Sequence, residues 1–137
     1  MKRVGYTGTV EARLRSHFAD HADGIAAVYL FGSVARGTSR DDSDVDLAVL
    51  FDAAPPRTLA GMPFELEDQL RKLLGRDVQV VVLNRAPPDL VHRVLRDGIL
   101  VLDRDPAARI RFEVKLRNEY FDLLPHLQRY RRSRGAA

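Results

Sequence analysis

The chain of 137 residues contains no cysteine and no tryptophan. Without cysteine there is no disulfide framework, zinc knuckle, thiolate nucleophile or iron–sulfur site. Long apolar runs are missing as well. Those present are strand-length, such as Val80–Leu83 and Ile25–Phe31, far short of the roughly 20 residues a membrane span requires. Met1–Lys2–Arg3 leads into Gly5–Tyr6–Thr7–Gly8 without an apolar stretch, so no signal peptide is expected and the expected compartment is the cytoplasm. Net charge is small: 22 Lys+Arg less 19 Asp+Glu leaves +3, too little to suggest direct nucleic-acid binding. Lysine and glutamate are scarce, the charged residues being 19 Arg with 3 Lys and 14 Asp with 5 Glu. Arginine recognises phosphate and carboxylate bidentately, but a GC-rich genome is the simpler source of this bias.

The remaining pattern predicts an α/β domain covering residues 1–137. A helix is expected over about Val10–His21, capped by Thr9, with Val10, Leu14 and Phe18 on one face. Strand Ile25–Phe31 follows, then a polar loop, Gly32–Ser43, then strand Asp44–Phe51. A proline-rich loop, Asp52–Pro63, leads to helix Phe64–Leu74, stopped by Gly75, and to a third strand, Val78–Leu83. Pro87–Pro88 opens a helix to about Arg96. A short fourth strand, Ile99–Leu102, precedes a long C-terminal helix over 107–130, with Pro125 as its expected kink, and a frayed basic tail over 131–137. The expected architecture is a small mixed sheet of about four strands with helices packed on it.

The chemistry concentrates in Phe31–Phe51. A buried strand runs straight into Gly32–Ser33, and ten residues later Asp44–Val45–Asp46 opens another strand. If the two strands pair as antiparallel neighbours, Gly32 and Ser33 lie beside Asp44 and Asp46. Residues i and i+2 of a strand share a face, so the two carboxylates project together while Val45, Leu47 and Val49 point the other way. Adjacent carboxylates repel unless a cation lies between them. Hard oxygen ligands of this kind suit Mg²⁺, or Mn²⁺, completed by substrate phosphates. Gly32 lets its backbone approach a ligand closely. Ser33 offers an N–H and a hydroxyl to phosphate oxygens, Arg36 offers charge, and Ser43 is grouped with them as nucleotide-binding.

An apolar residue, Gly–Ser, a spacer and Asp–x–Asp resemble the signature of the DNA polymerase β-like nucleotidyltransferase superfamily. The wording GSVARGTSRDDSDVDLAV resembles, more narrowly, the minimal nucleotidyltransferases of the MntA antitoxin type. Val82–Pro88, His92–Gly98 and the helix Arg109–Tyr130, with Tyr120, Asp122 and Pro125, extend the likeness over nearly all of the chain, weakly before Gly24. The resemblance implies a nucleotidyltransferase fold and a Mg²⁺-dependent transfer of AMP from ATP to a tyrosine of a HepT-type HEPN ribonuclease toxin, the expected partner, silencing it. One departure matters. The superfamily usually carries a third carboxylate on the next strand, and Gln79 holds that place here; Asp77, two residues earlier, is the available substitute. Two alternatives therefore stay open: a degenerate antitoxin that neutralises by binding alone, and an adenylyltransferase acting on a small molecule.

His17 and His21 have the i, i+4 spacing of a metal pair, but Leu14 and Phe18 place them on an ordinary packing face. No GxxxxGK[ST] phosphate loop is present.

Overall fold

The run Ile25–Phe31 forms a strand buried on both faces, and the rest of the domain is arranged around it. In the computed structural model, residues 6–40, 43–56, 58 and 62–135 are described. Their elements are α1 (Tyr6–Asp20), β1 (Ile25–Phe31), α2 (Gly32–Arg36), β2 (Val45–Phe51), α3 (Phe64–Leu74), β3 (Val78–Val82), α4 (Pro88–Asp97), β4 (Ile99–Asp103) and α5 (Pro106–Gly135), with a 3-10 turn at Leu83–Arg85. The strand order is β3-β2-β1-β4. β1 runs antiparallel to both β2 and β4, while β2 and β3 are parallel. The expected mixed four-stranded sheet is therefore present.

Strand alternation divides the core in two. Val28, Leu30, Val45, Leu47, Val49 and Val78 pack against Val10, Leu14 and Phe18 of α1 and Leu70 and Leu74 of α3. Ala27, Tyr29, Ala48 and Leu50 face Val91 and Val94 of α4 and Leu116 of α5. The two-residue period of each strand thus serves two helical layers at once. Asn84 completes the end of β2: its side-chain oxygen accepts from the Phe51 N–H at 2.9 Å and its amide donates to the Phe51 carbonyl at 3.0 Å. A side chain there substitutes for the next rung of the ladder.

Two expected boundaries are corrected. α1 starts at Tyr6, so Thr9 lies inside the helix rather than capping it. A lone cap-type residue does not fix a helix start when the residues before it can also adopt helix, here at the cost of about 1 kcal/mol for Gly8. α5 continues to Gly135, so most of the expected basic tail is helical. Gln128–Arg132 are good or neutral helix formers, and no breaker follows Pro125 until the glycine. Met1–Gly5, Asp41, Asp42, Arg57, Leu59–Gly61 and the last two residues of the tail lie outside the described residues.

A polar network joins β1, β4 and α5. The Tyr29 hydroxyl donates to Glu113, Arg109 Nη1 donates to the same carboxylate at 3.1 Å, and Arg109 Nε donates to Asp103 at 2.8 Å. Burial, then the Glu113 acceptor, pushes the Tyr29 hydroxyl well above its ordinary pKa, so it stays protonated as a donor. A half-buried hydrogen bond to a charged group contributes about 1.5–3 kcal/mol. Tyr29→Phe is therefore expected to lower unfolding free energy by about 1–3 kcal/mol in urea melts at pH 7, and an unchanged midpoint would show the network to be idle.

Candidate active site

Phe31, the last residue of β1, stands opposite Asp46 in the antiparallel ladder. The chain leaves β1 through Gly32 at φ +77°, a left-handed conformation, and turns at once into α2. A Cβ placed on Gly32 would come 2.3 Å from Asp46 Oδ2. The Asp46 carboxylate thus packs directly on the glycine backbone. This is the adjacency expected from the pairing of the two strands.

Asp44 is exposed just before β2, and Asp46 is half-buried within it. Burial, followed by the neighbouring Asp44 charge, raises the Asp46 carboxyl above its ordinary value, while Arg36 pulls it back down. Two carboxylates and one guanidinium are therefore within electrostatic reach of one another. Ser33 lies half-buried in α2, and its carbonyl accepts from the Thr38 N–H at 2.9 Å. Arg36 is exposed at the end of α2. Ser43 is tied to Arg40: its Oγ accepts from the Arg40 N–H at 2.8 Å, and its N–H donates to the Arg40 carbonyl at 3.1 Å.

Gln79 pairs in register with Asp46 across the parallel β2–β3 ladder. The residue expected at the third-acid position thus lies opposite Asp46, and its side chain is a neutral amide. The Asp77 carbonyl accepts from the Val45 N–H at 2.9 Å. The Asp77 carboxylate, 75% exposed, takes Arg71 of α3 at 3.4 Å. An open groove of about 450 Å³ runs beside Asp44, Glu67, Arg71, Asp77 and Gln79. Glu67 accepts from the Val80 N–H at 2.8 Å and so caps the free edge of β3. Glu67 and Arg71 have no role in the sequence reading, which takes only the apolar face of α3; their i, i+4 spacing is the available signal.

The donor set suits a hard divalent cation. Asp44 and Asp46 carry carboxylate oxygens, and the repulsion between them, which adds to burial in raising Asp46, is what a cation would relieve. Among the described residues no group of three His, Cys, Asp or Glu side chains could hold a metal, so substrate phosphates and water would complete the shell. The histidine pair does not form a metal site here: the His17 and His21 rings stack at 4.6 Å, and His21 Nδ1 bonds the His17 carbonyl at 3.0 Å.

The raised Asp46 also sets a pH dependence. The native state binds its proton more tightly than the unfolded chain, so stability falls as pH rises from the ordinary aspartate range through the raised native value. At pH 7 this penalty is fully present. Asp46→Asn is expected to raise the metal-free melting temperature at pH 7 in EDTA, with the gain shrinking at pH 3, as differential scanning calorimetry would read.

No helix among the described residues is long and apolar enough to cross a membrane. A second depression of about 560 Å³ lies at the other end of β1 and β2, beside Ile25, Phe51, His21 and Met62, and holds none of the expected site residues.

Comparison with known proteins places this geometry. Residues 14–107 match the profile of the family "Polymerase beta, Nucleotidyltransferase". The chain is 32% identical over 94 residues to the protein adenylyltransferase MntA of Thermococcus cleftensis, spanning 67% of this chain and 92% of that one. It is similar in structure to a chain of a toxin–antitoxin complex solved with AMP-PNP, with TM-score 0.69 and 29% identity over 90% of this chain and 93% of that one. It is also similar to a chain from a tri-AMPylated Shewanella oneidensis HEPN toxin in complex with MNT antitoxin, with TM-score 0.65 and 26% identity over 93% of each. The chain belongs to the polymerase β nucleotidyltransferase family and, within it, to the MntA-type adenylyltransferases.

Proposed function

We propose that this chain transfers AMP from ATP to a tyrosine hydroxyl of a cognate HEPN ribonuclease toxin and thereby neutralises it. The observation that carries this reading is the Asp46 carboxylate seated on the Gly32 backbone with Asp44 beside it. Its support is the likeness to MntA adenylyltransferases and to chains of toxin–antitoxin complexes, one with AMP-PNP and one with an AMPylated toxin.

Asp44 and Asp46 would hold Mg²⁺. When bound, the ion supplies positive charge against the triphosphate and the pyrophosphate leaving group. The backbone at Gly32 and Ser33 receives phosphate oxygens, with no Cβ at Gly32 to keep them away. Arg36, exposed at the end of α2, contributes charge to the same anion. The acceptor oxygen attacks the α-phosphorus in line, the bond to the β-phosphate oxygen breaks, and pyrophosphate departs. With no carboxylate at position 79, the phenolic proton passes to solvent water as the new oxygen–phosphorus bond forms. Phosphoryl transfer tolerates this because positioning and charge do most of the work. Catalysis on two carboxylates is thus the reading for this chain.

Gln79 beside Asp46 is the observation that favours the second reading, neutralisation by binding alone. Mass spectrometry of the co-expressed toxin separates the two. A tyrosine peptide heavier by one or more AMP groups is expected; an unmodified toxin that is still neutralised would establish occlusion instead.

A further inference from the structure

Arg76 is the buried charged residue among the described core, 7% exposed. It lies between Gly75, which ends α3 at φ +67°, and the start of β3. Its side chain crosses beneath the loop that precedes β2. Nε donates to the Ser43 carbonyl at 3.0 Å, Nη2 donates to the Arg40 carbonyl at 2.9 Å, and Nη2 also reaches the Ser43 carbonyl. Those two carbonyls belong to Arg40 and Ser43, which are also hydrogen-bonded to each other. Asp44 follows immediately, and the next residue, Val45, is fixed by its N–H to the Asp77 carbonyl at 2.9 Å. Asp44 is therefore held between two anchors that both come from the segment entering β3.

Asp44 needs such anchoring. It is exposed, it stands outside the strand, and the Asp46 charge repels it. A carboxylate on an unanchored loop would swing away from its neighbour and would have to be brought back for each metal bound. A planar fork that grips two carbonyls removes this freedom in a way a flexible ammonium cannot. From these contacts we infer that Arg76 is a positioning residue: it presents Asp44 to the cation and so sets the affinity of the site for Mg²⁺. The inference rests on the reading of Asp44 and Asp46 as the metal-holding pair.

The test uses the full chain with Arg76→Met and Arg76→Lys. Metal binding is read without nucleotide from the free Mn²⁺ signal in electron paramagnetic resonance. AMP transfer to the toxin is read across a Mg²⁺ titration. Losing a residue that orients a metal ligand typically weakens affinity about 10–100-fold. Arg76→Met is expected to weaken Mn²⁺ binding at least about tenfold and to raise the Mg²⁺ needed for half-maximal transfer by a similar factor. At saturating Mg²⁺, kcat should recover to near the wild-type value. Arg76→Lys should show a smaller shift of the same kind, because one ammonium can still reach a carbonyl. A purely structural arginine would lower the melting temperature and leave the metal dependence of the folded fraction unchanged, and that result overturns the inference. If Arg76→Met does not fold, Arg76→Lys decides on the same readouts. Asp44→Asn with Asp46→Asn is the control. Wild-type Mn²⁺ binding in that double variant would sink the site reading itself. Loss of Mn²⁺ there, with undiminished binding in the Arg76 variants, would sink this inference alone.

Discussion

Replacing Asp44 and Asp46 together by asparagine is expected to abolish AMP transfer and, with it, antidote action. Asparagine keeps the size and planarity of each side chain but removes both charges, so β2 and its ladder survive. What is lost is the pair of negative charges, whose mutual repulsion adds to burial in raising Asp46 and would be relieved by a cation. A metal ion contributes several kcal/mol of charge stabilisation in such transfers, and each 1.36 kcal/mol is about tenfold in rate. The expected loss is therefore about 10³-fold or more. Intact-mass measurement of the co-expressed toxin should show no AMP-bearing species, and cells should regain toxicity. A double variant that still modified the toxin would place the chemistry elsewhere.

Gly32→Ala is expected to have the next largest effect, by another route. A Cβ there would sit 2.3 Å from Asp46 Oδ2, on a residue at φ +77°. Holding a non-glycine residue in this left-handed region costs about 1–3 kcal/mol. The collision adds a displacement of the Asp46 carboxylate, and misplacing a catalytic group by about 1 Å can cost about 10²-fold in rate. Gly24 supplies the control. It has φ +75° with nothing within 4 Å of its would-be Cβ, so Gly24→Ala carries the backbone strain without the collision. Gly24→Ala should melt earlier by the backbone strain alone and Gly32→Ala by at least as much, whereas only Gly32→Ala should lose AMP transfer by about 10²-fold. Equal activities would mean that the close approach of Gly32 to Asp46 has no catalytic consequence.

These expectations show which parts of the site could be read along the chain. The apolar runs Ile25–Phe31 and Val45–Phe51 announce buried strands through their composition. The short polar connection between them makes antiparallel pairing the natural outcome, and that pairing alone brings Gly32 to Asp46. Gln79 is legible as the occupant of the third-acid position through the resemblance, flanked by Val78 and Val80 on the next strand, and the strand register then sets it opposite Asp46. Thr9 and the basic tail were misread because helix ends depend on weak local signals that neighbouring residues override.

Arg76 could not be recognised in this way. In the sequence it is one of 19 arginines, next to an aspartate and at a strand edge, with every mark of a solvated charge. Its partners, the carbonyls of Arg40 and Ser43, stand 36 and 33 residues away. Backbone carbonyls carry no residue-specific signature, so no pattern of side chains could announce the contact. The same holds for Glu67 on the Val80 N–H and Asn84 on Phe51. The resemblance of GSVARGTSRDDSDVDLAV to a known family carried the nucleotidyltransferase character, and strand period alone put the two carboxylates on one face, with the glycine beside them once the two strands pair as antiparallel neighbours. Which charged residue is buried, which loop it grips and which acid is already engaged depended on how α3 and β3 fold back on the start of β2. That arrangement is a long-range packing outcome, to which local periodicity is blind.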